Sequence, residues 1–311
     1  MIHLSRIISS VILVMLMVGT GCFLTKKEIL GEESNKLFSQ LVLKICLPAL
    51  IIQGLTGRFT REGLIKSAQW LGLSFIIIIV LIIASKVIIL SKHIKRKALF
   101  QISFIFANTI FVGLPVNIAL FGDESIPYIF LYYFASTTFF WTYGIYCVQG
   151  EGNIREGLKK LLTPTTTAFF IGVILLLFKV PIPGFIATYM KYIGGMTTPL
   201  AMLYLGTSMY SLGIKSLKPD FESVIGLVSK FIIAPAIVFI IIKIADGFLI
   251  LPLLLKKVYF IQTTMPLMTN VAIVSGYYNK SPKEASKLVG LSTILVIVTI
   301  PFYAILTEFI F

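Results

Sequence analysis

Residues 106–117 read Phe106-Ala107-Asn108-Thr109-Ile110-Phe111-Val112-Gly113-Leu114-Pro115-Val116-Asn117. They lie inside a longer apolar run, 98–121, and comparable runs fill 64–90 and 221–245. Runs of roughly 18–25 apolar residues are long enough to cross about 30 Å of hydrocarbon as helix. Over the 311 residues, 57% are hydrophobic, 13% are charged and the mean hydropathy is +0.96. A soluble domain carries charge on about a quarter of its residues, so this chain cannot solvate a surface of that kind. Lipid leaves helices or closed barrels as spanning structures. Barrel strands alternate in segments of about ten residues, whereas these runs are continuous. The fold class expected is an all-α polytopic membrane protein.

The polar content of 106–117 then acquires meaning. Proline lacks an amide proton and clashes with the carbonyl one turn back, so the helix is expected to break or kink at Pro115. Residues 262–270, Gln262-Thr263-Thr264-Met265-Pro266-Leu267-Met268-Thr269-Asn270, repeat the theme in the run 251–277. Backbone groups freed in lipid must be buried in protein or line a watered cavity. The N-terminus of each half-helix also presents partial positive charge, a seat for a carboxylate. The candidate binding residues are Asn108, Thr109, Gly113, Pro115, Asn117, Gln262, Thr264, Pro266, Thr269 and Asn270. Such side chains also serve as plain interhelical glue. Their clustering around both prolines favours a site.

Charge, Gly and Pro divide the chain into ten spans, near 5–24, 36–57, 64–91, 98–121, 125–149, 163–180, 185–212, 221–245, 251–277 and 285–308. A polar linker, 150–162, separates a first five-helix repeat (1–149) from a second (163–311). An odd number of spans per half inverts the second half. Pro48 answers Pro199, and Pro115 answers Pro266, as expected of an inverted-repeat transporter. With the N-terminus outside, the inner loops hold Lys26, Lys27, Lys36, Lys92, Lys95, Arg96, Lys97, Arg155, Lys159, Lys160, Lys215, Lys218, Lys280, Lys283 and Lys287. That is an inward bias of about two to one, placing both termini outside and the linker in the cytoplasm. Residues 1–24 resemble a signal peptide superficially, but Gly19 stands where a lipoprotein cleavage site wants a larger aliphatic residue, and they are read as the first helix.

The net charge of +14 is a topology signal, since no basic stretch is interleaved with aromatics as nucleic-acid binding requires. Cys22, Cys46 and Cys147 lack CxxC spacing, and His3 and His93 belong to no ligand motif, so no metal or disulfide is expected. Every Asp and Glu lies at or near a span end or in a loop, which argues against a membrane carboxylate as proton relay. Lys86, Lys179 and Lys243 snorkel from span ends. Lys44 and Lys230 stand deeper, each just before a proline, and are candidates to lend positive field to an anion. Thr163 and Pro164 form a helix start. The aromatic cluster 128–146 is packing and interface belt.

Several of these stretches resemble one family. Asn108 through Pro115 followed by Ala119-Leu120-Phe121-Gly122 is similar to the fourth-helix signature of the auxin efflux carrier family. Met265-Pro266 with Thr269-Asn270-Val271-Ala272-Ile273-Val274-Ser275-Gly276 resembles its ninth helix. Leu47-Pro48-Ala49-Leu50 and Trp141-Thr142-Tyr143-Gly144 fit as well, so the resemblance covers nearly the whole chain. It implies a ten-helix, five-plus-five fold related to bile acid:sodium symporters, with helices four and nine broken at proline and crossing. It also implies that Asn108 contacts a substrate carboxylate, as the matching Asn does in plant members of the PIN type. The long cytoplasmic loop of many plant members is missing, which favours a bacterial-type organic-acid carrier over an auxin exporter.

The expected function is therefore a secondary transporter of small organic anions, malate- or malonate-like carboxylates, working by alternating access at the helix 4/9 crossover in the cell (inner) membrane. The alternatives are a sodium-coupled symporter of another organic anion, or an anion channel. An enzyme would need a nucleophile–base pair, a metal set or paired membrane carboxylates, and the sequence offers none. No cofactor is expected. Sodium is an open coupling ion, with neutral Asn, Thr and Gln oxygens to bind it. The partners are the carboxylate and the lipid bilayer, with a homodimer open and no nucleic acid.

Overall fold

The computed structural model describes residues 2–58, 60–90, 94–149, 162–211 and 218–311. Of the linker 150–162 only Leu162 is described, and Lys92, His93, Arg155, Lys159, Lys160 and Lys215 also lie outside the described residues. Among the described residues the regular structure is helical, apart from one isolated antiparallel bridge between Ala107 and Leu267. Five helices there are long and apolar enough to cross a membrane: Ile8–Lys26, Glu32–Gly57, Arg61–Ile88, Phe221–Leu249 and Pro282–Ile310. Shorter apolar helices include Thr109–Phe121 and Pro164–Leu177. Leu16, Ile76, Ile83, Ile232 and Phe248 point outward and are exposed. Water would penalise so much apolar surface, while lipid does not. The protein is a multi-pass membrane protein.

Helices from the two halves of the sequence interleave. Ile2–Lys26 packs along Thr197–Ser211, and Leu47–Arg58 packs on Pro164–Leu177 and Gly184–Gly195. A second group joins Leu71–Ile88, Lys97–Ile105, Ile126–Phe139, Leu253–Thr263 and Ala234–Leu249. Small residues allow the closest approach: a Cβ on Gly206 would lie 2.1 Å from the Val18 carbonyl oxygen. Without a hydrophobic drive between helices in lipid, such close packing supplies the attraction.

The prolines do not act where expected. Pro48, Pro115 and Pro235 each stand two residues after a wide, π-type turn, at Val42–Cys46, Thr109–Gly113 and Ser229–Ile233. Widening the preceding turn gives the ring room, so the helix continues instead of breaking. The carbonyl one turn before Pro235 is that of Phe231, and the Tyr303 hydroxyl donates to it. The expected break at Pro115 is thus corrected: the interruption lies at Phe106–Asn108, between Lys97–Ile105 and the turn Thr109–Gly113, and Pro115 sits in the first turn of Leu114–Phe121. Pro266 does lie in a break, between Leu253–Thr263 and Asn270–Tyr277.

At one end of the bundle Arg96 binds Asp220 and Glu222, both at 2.8 Å, and Lys287 reaches Asp220 at 3.2 Å. Asp220 also caps the helix Phe221–Val228 by accepting from the Ser223 amide at 2.8 Å. Partial burial pushes the Asp220 carboxyl upward, but hydrogen bonding from Ser223, Arg96 and Lys287 outweighs it and holds the group well below the usual carboxylate range.

Candidate functional site

The two interruptions satisfy each other. The Asn108 amide donates to the Pro266 carbonyl at 2.7 Å, and the Met268 amide donates to the Phe106 carbonyl at 3.3 Å. Leu267 donates its amide to the Ser292 hydroxyl at 3.1 Å, so a third helix braces the junction. Part of the backbone polarity that the breaks release is therefore consumed internally. What remains is carried by side chains and helix ends. Asn108 Oδ1 accepts from the Phe111 amide at 3.1 Å, capping the turn that opens Thr109–Phe121. Its Nδ2 donates to Thr269 Oγ1 at 3.3 Å, and Thr269 is the cap residue of Asn270–Tyr277. Two half-helix N-termini consequently point toward one spot, each contributing partial positive charge.

A cavity of about 490 Å³ ends at that spot. Its wall includes Asn35, Ser39, Tyr204, Ser208, Asn108, Thr269 and Thr293. Exposure falls along its depth. Glu32, Lys36, Ser211 and Ser286 at the mouth are exposed, while Asn108 and Thr293 at the floor are buried. Asn35 Nδ2 donates to Ser208 Oγ at 2.8 Å across the wall, and the Tyr204 ring stacks on Phe111. The volume suits a small organic molecule. A larger hollow, about 730 Å³, lies elsewhere between Arg61, Glu62 and Lys179 and touches neither interruption.

Among the sequence-predicted residues, Asn108 and Thr269 line the cavity; the others do not. Thr109, Gly113, Asn117 and Gln262 form a buried layer behind the floor. There Gln262 Nε2 donates to the Thr109 carbonyl at 3.3 Å and Asn117 Nδ2 to the Gly113 carbonyl at 2.7 Å. Gln262 Oε1 and Asn117 Oδ1 are buried with no donor. Thr264 bonds back to the Ile261 carbonyl, Pro115 and Pro266 are buried, and Asn270 is half-buried at the start of its helix. Lys44 is exposed, whereas Lys230 is fully buried. Sequence reasoning missed Asn35, Ser208, Ser286 and Thr293. Their signal was faint: single small polar residues in apolar helices, the pattern of ordinary interhelical contacts.

Membrane-crossing helices packed around a polar, solute-sized cavity that ends on paired helix interruptions define a class, the multi-pass membrane transport proteins. The pattern of the family described as membrane transport protein matches residues 6–156 and 153–304, and the chain belongs to this family, that of the auxin efflux carriers. It is 26% identical over 305 residues to an uncharacterized transporter of Methanocaldococcus jannaschii, covering 91% of this chain and 93% of that one. An uncharacterized transporter of Methanothermobacter thermautotrophicus is 24% identical over 309 residues, covering 95% and 97% respectively.

Proposed function

We propose that this protein is a secondary carrier of small organic anions, of the malate or malonate type, and that the anion binds at the cavity floor. The observation that carries this reading is the meeting of two half-helix N-termini, one capped by Asn108 and the other beginning at Thr269, at the buried end of a polar cavity. A carboxylate there would accept from Asn108 Nδ2 and from the Thr269 hydroxyl, and would complement both helix ends. The wider frame is a ten-span fold of two inverted five-helix repeats, divided at 150–162, with helices four and nine crossing at their interruptions. In that frame both termini lie outside the cell membrane, and the cavity mouth, beside Glu32, Lys36, Ser211 and Ser286, faces the cytoplasm.

Alternating access then needs a moving unit. Halves rocking as rigid bodies would tear apart the interleaved packing of Leu47–Arg58 on Pro164–Leu177. The packing favours motion of the mixed group that carries both interruptions against the group built on Ile2–Lys26, Leu47–Arg58, Pro164–Leu177 and Thr197–Ser211. An uncoupled anion would leave a negative interior, since each charge is worth about 2.3 kcal/mol per 100 mV. Of the two lysines, Lys230 has the surroundings in which a charge acts at a distance.

Sodium is a second reading, and one observation favours it: Asn117 and Gln262, two amides that both touch Gly113, each bury an oxygen with no donor. A cation bridging them would bind just behind the anion. The test is counterflow in liposomes, with carboxylates presented in sodium and in potassium salts. Saturable exchange supports a carrier, a sodium requirement adds the cation, and unitary currents would replace the carrier with a channel.

A further inference from the structure

Beside the cavity, the helices Lys97–Ile105 and Phe221–Val228 pack into a seam whose polar groups the anion site does not use. The seam begins at the Arg96–Glu222 pair. It continues past a void of about 10 Å³ lined by Arg96, Ser103, Glu222, Ser223 and Gly226, close to the smallest space that holds one water. Ser223, Gly226 and Lys230 follow one another at helical spacing, so they occupy one face. Lys97–Ile105 also packs against the wide turn Ser229–Ile233 that carries Lys230. Lys230 is 0% exposed and its Nζ has no hydrogen-bond partner, and the buried Ser103 Oγ has none either. Counted from the Arg96–Asp220 pair at 1.5 Å per helical residue, Lys230 stands roughly 15 Å along the seam and Ile105, where the helix leading to Asn108 ends, roughly 14 Å.

A buried ammonium needs a counter-charge, and among the described residues the elements packed against it provide none. On the helix before it, Glu222 is held by Arg96 at the seam's far end, and Lys97 on the facing helix is exposed. On Ala234–Leu249, Lys243 stacks on Phe239 and Phe311, and Asp246 is bound to Lys256. On Pro282–Ile310, Tyr303 is committed to the Phe231 carbonyl, Glu308 to Lys257 and Lys287 to Asp220, while Lys283 and Glu284 stay near the helix start. A carboxylate bound at Asn108 would bring the missing negative charge to a similar distance along the seam.

We propose that Lys230 is the proton site of this carrier, taking one proton as the carboxylate enters and releasing it when the carboxylate leaves. The inference rests on the carboxylate-carrier reading above. The Nζ lone pair forms one N–H bond with a proton delivered along the seam from the Glu222 end, through the water-sized void and Ser103. Nothing is oxidised or reduced, and with the proton released on the side where the carboxylate leaves, a monovalent anion moves with no net charge. Anion and proton then favour each other's binding by equal factors, because coupling between two sites is reciprocal.

The decisive experiment is titration calorimetry of the purified full-length protein with a panel of mono- and dicarboxylates at neutral pH. Two buffers of different ionisation heat are used, each with and without sodium. The wild type is expected to take up about one proton per carboxylate bound, in linkage. Lys230→Met should still bind, more weakly, with no uptake. Lys230→Arg should bind with no uptake, because its guanidinium is always charged. Binding by the wild type without proton uptake, or equal uptake by Lys230→Met, overturns the proton site alone. Failure of every carboxylate to bind removes the carrier reading itself, and the proton site falls with it.

Discussion

The Asn108 amide donates to the Pro266 carbonyl across 2.7 Å, joining residues 158 positions apart in the two interrupted helices. That bond uses backbone only. It leaves the Asn108 side chain free to cap one half-helix and reach Thr269 at the start of another. The junction and the ligand-facing groups can therefore be separated by substitution.

Asn108→Ala keeps the backbone bond but loses the cap and the Thr269 contact. An Asn-to-Ala cap change costs about 1 kcal/mol. A hydrogen bond to a charged group is worth roughly 1.5–3 kcal/mol, so carboxylate affinity should fall about ten- to a hundredfold. Asn108→Asp caps equally well and should preserve the unfolding temperature, yet it sets a negative charge against the anion and should abolish binding. Thermal unfolding and calorimetry on the same samples check both. Undiminished binding by the Asp variant would place the anion elsewhere.

Gly113 is needed for space. A Cβ there would stand 2.1 Å from Gln262 Oε1 and 3.3 Å from Met265 Cγ, and Gln262 is fully buried and cannot swing away. Overpacking of this kind costs about 1–3 kcal/mol, so Gly113→Ala should lower the unfolding temperature. Combining it with Gln262→Ala should cost less than the sum of the two single changes, since the residues touch. Strict additivity would deny the contact.

How much of this was legible beforehand depends on which residues set each feature. The helical membrane class followed from runs such as 221–245, because lipid admits few alternatives. Asn108 and Thr269, which line the cavity, stood out in the sequence by their company around Pro115 and Pro266. The position of the first interruption did not. Pro115 signals strain one turn back, but whether the helix breaks or merely widens depends on neighbours such as Gln262 packed against Gly113, which sit 149 residues away in sequence. The cavity wall was equally hidden, since Asn35 and Ser208 look like interhelical contacts until their helices are seen side by side.

Asp220 offers a pH-dependent check of the ion-pair cluster at one end of the bundle. Its folded carboxyl is held below the unfolded value of 3.8, so its contribution is fully present above that value and is lost as pH falls toward the lower, folded one. Asn caps as well as Asp does, so Asp220→Asn isolates the contacts with Arg96 and Lys287. The difference in unfolding temperature between wild type and variant should be constant from neutrality to about pH 5 and then shrink on further acidification. A difference that widened in acid would contradict the ion pairs.

The cavity itself can be probed from each side of the membrane. Ser286 lies at its mouth and Ser208 in its wall, whereas Asn117 is buried behind the floor. With Cys22, Cys46 and Cys147 replaced by serine or alanine, Ser286→Cys and Ser208→Cys should react with a membrane-impermeant thiol reagent in inside-out vesicles, and Asn117→Cys should not. A bound carboxylate should slow labelling of Ser208→Cys far more than that of Ser286→Cys, because it fills the narrow end first. Labelling of both mouth and wall only in right-side-out vesicles would reverse the proposed orientation. Equal protection at both positions would mean that the ligand does not seek the floor, where Asn108 and Thr269 bring the two half-helices together.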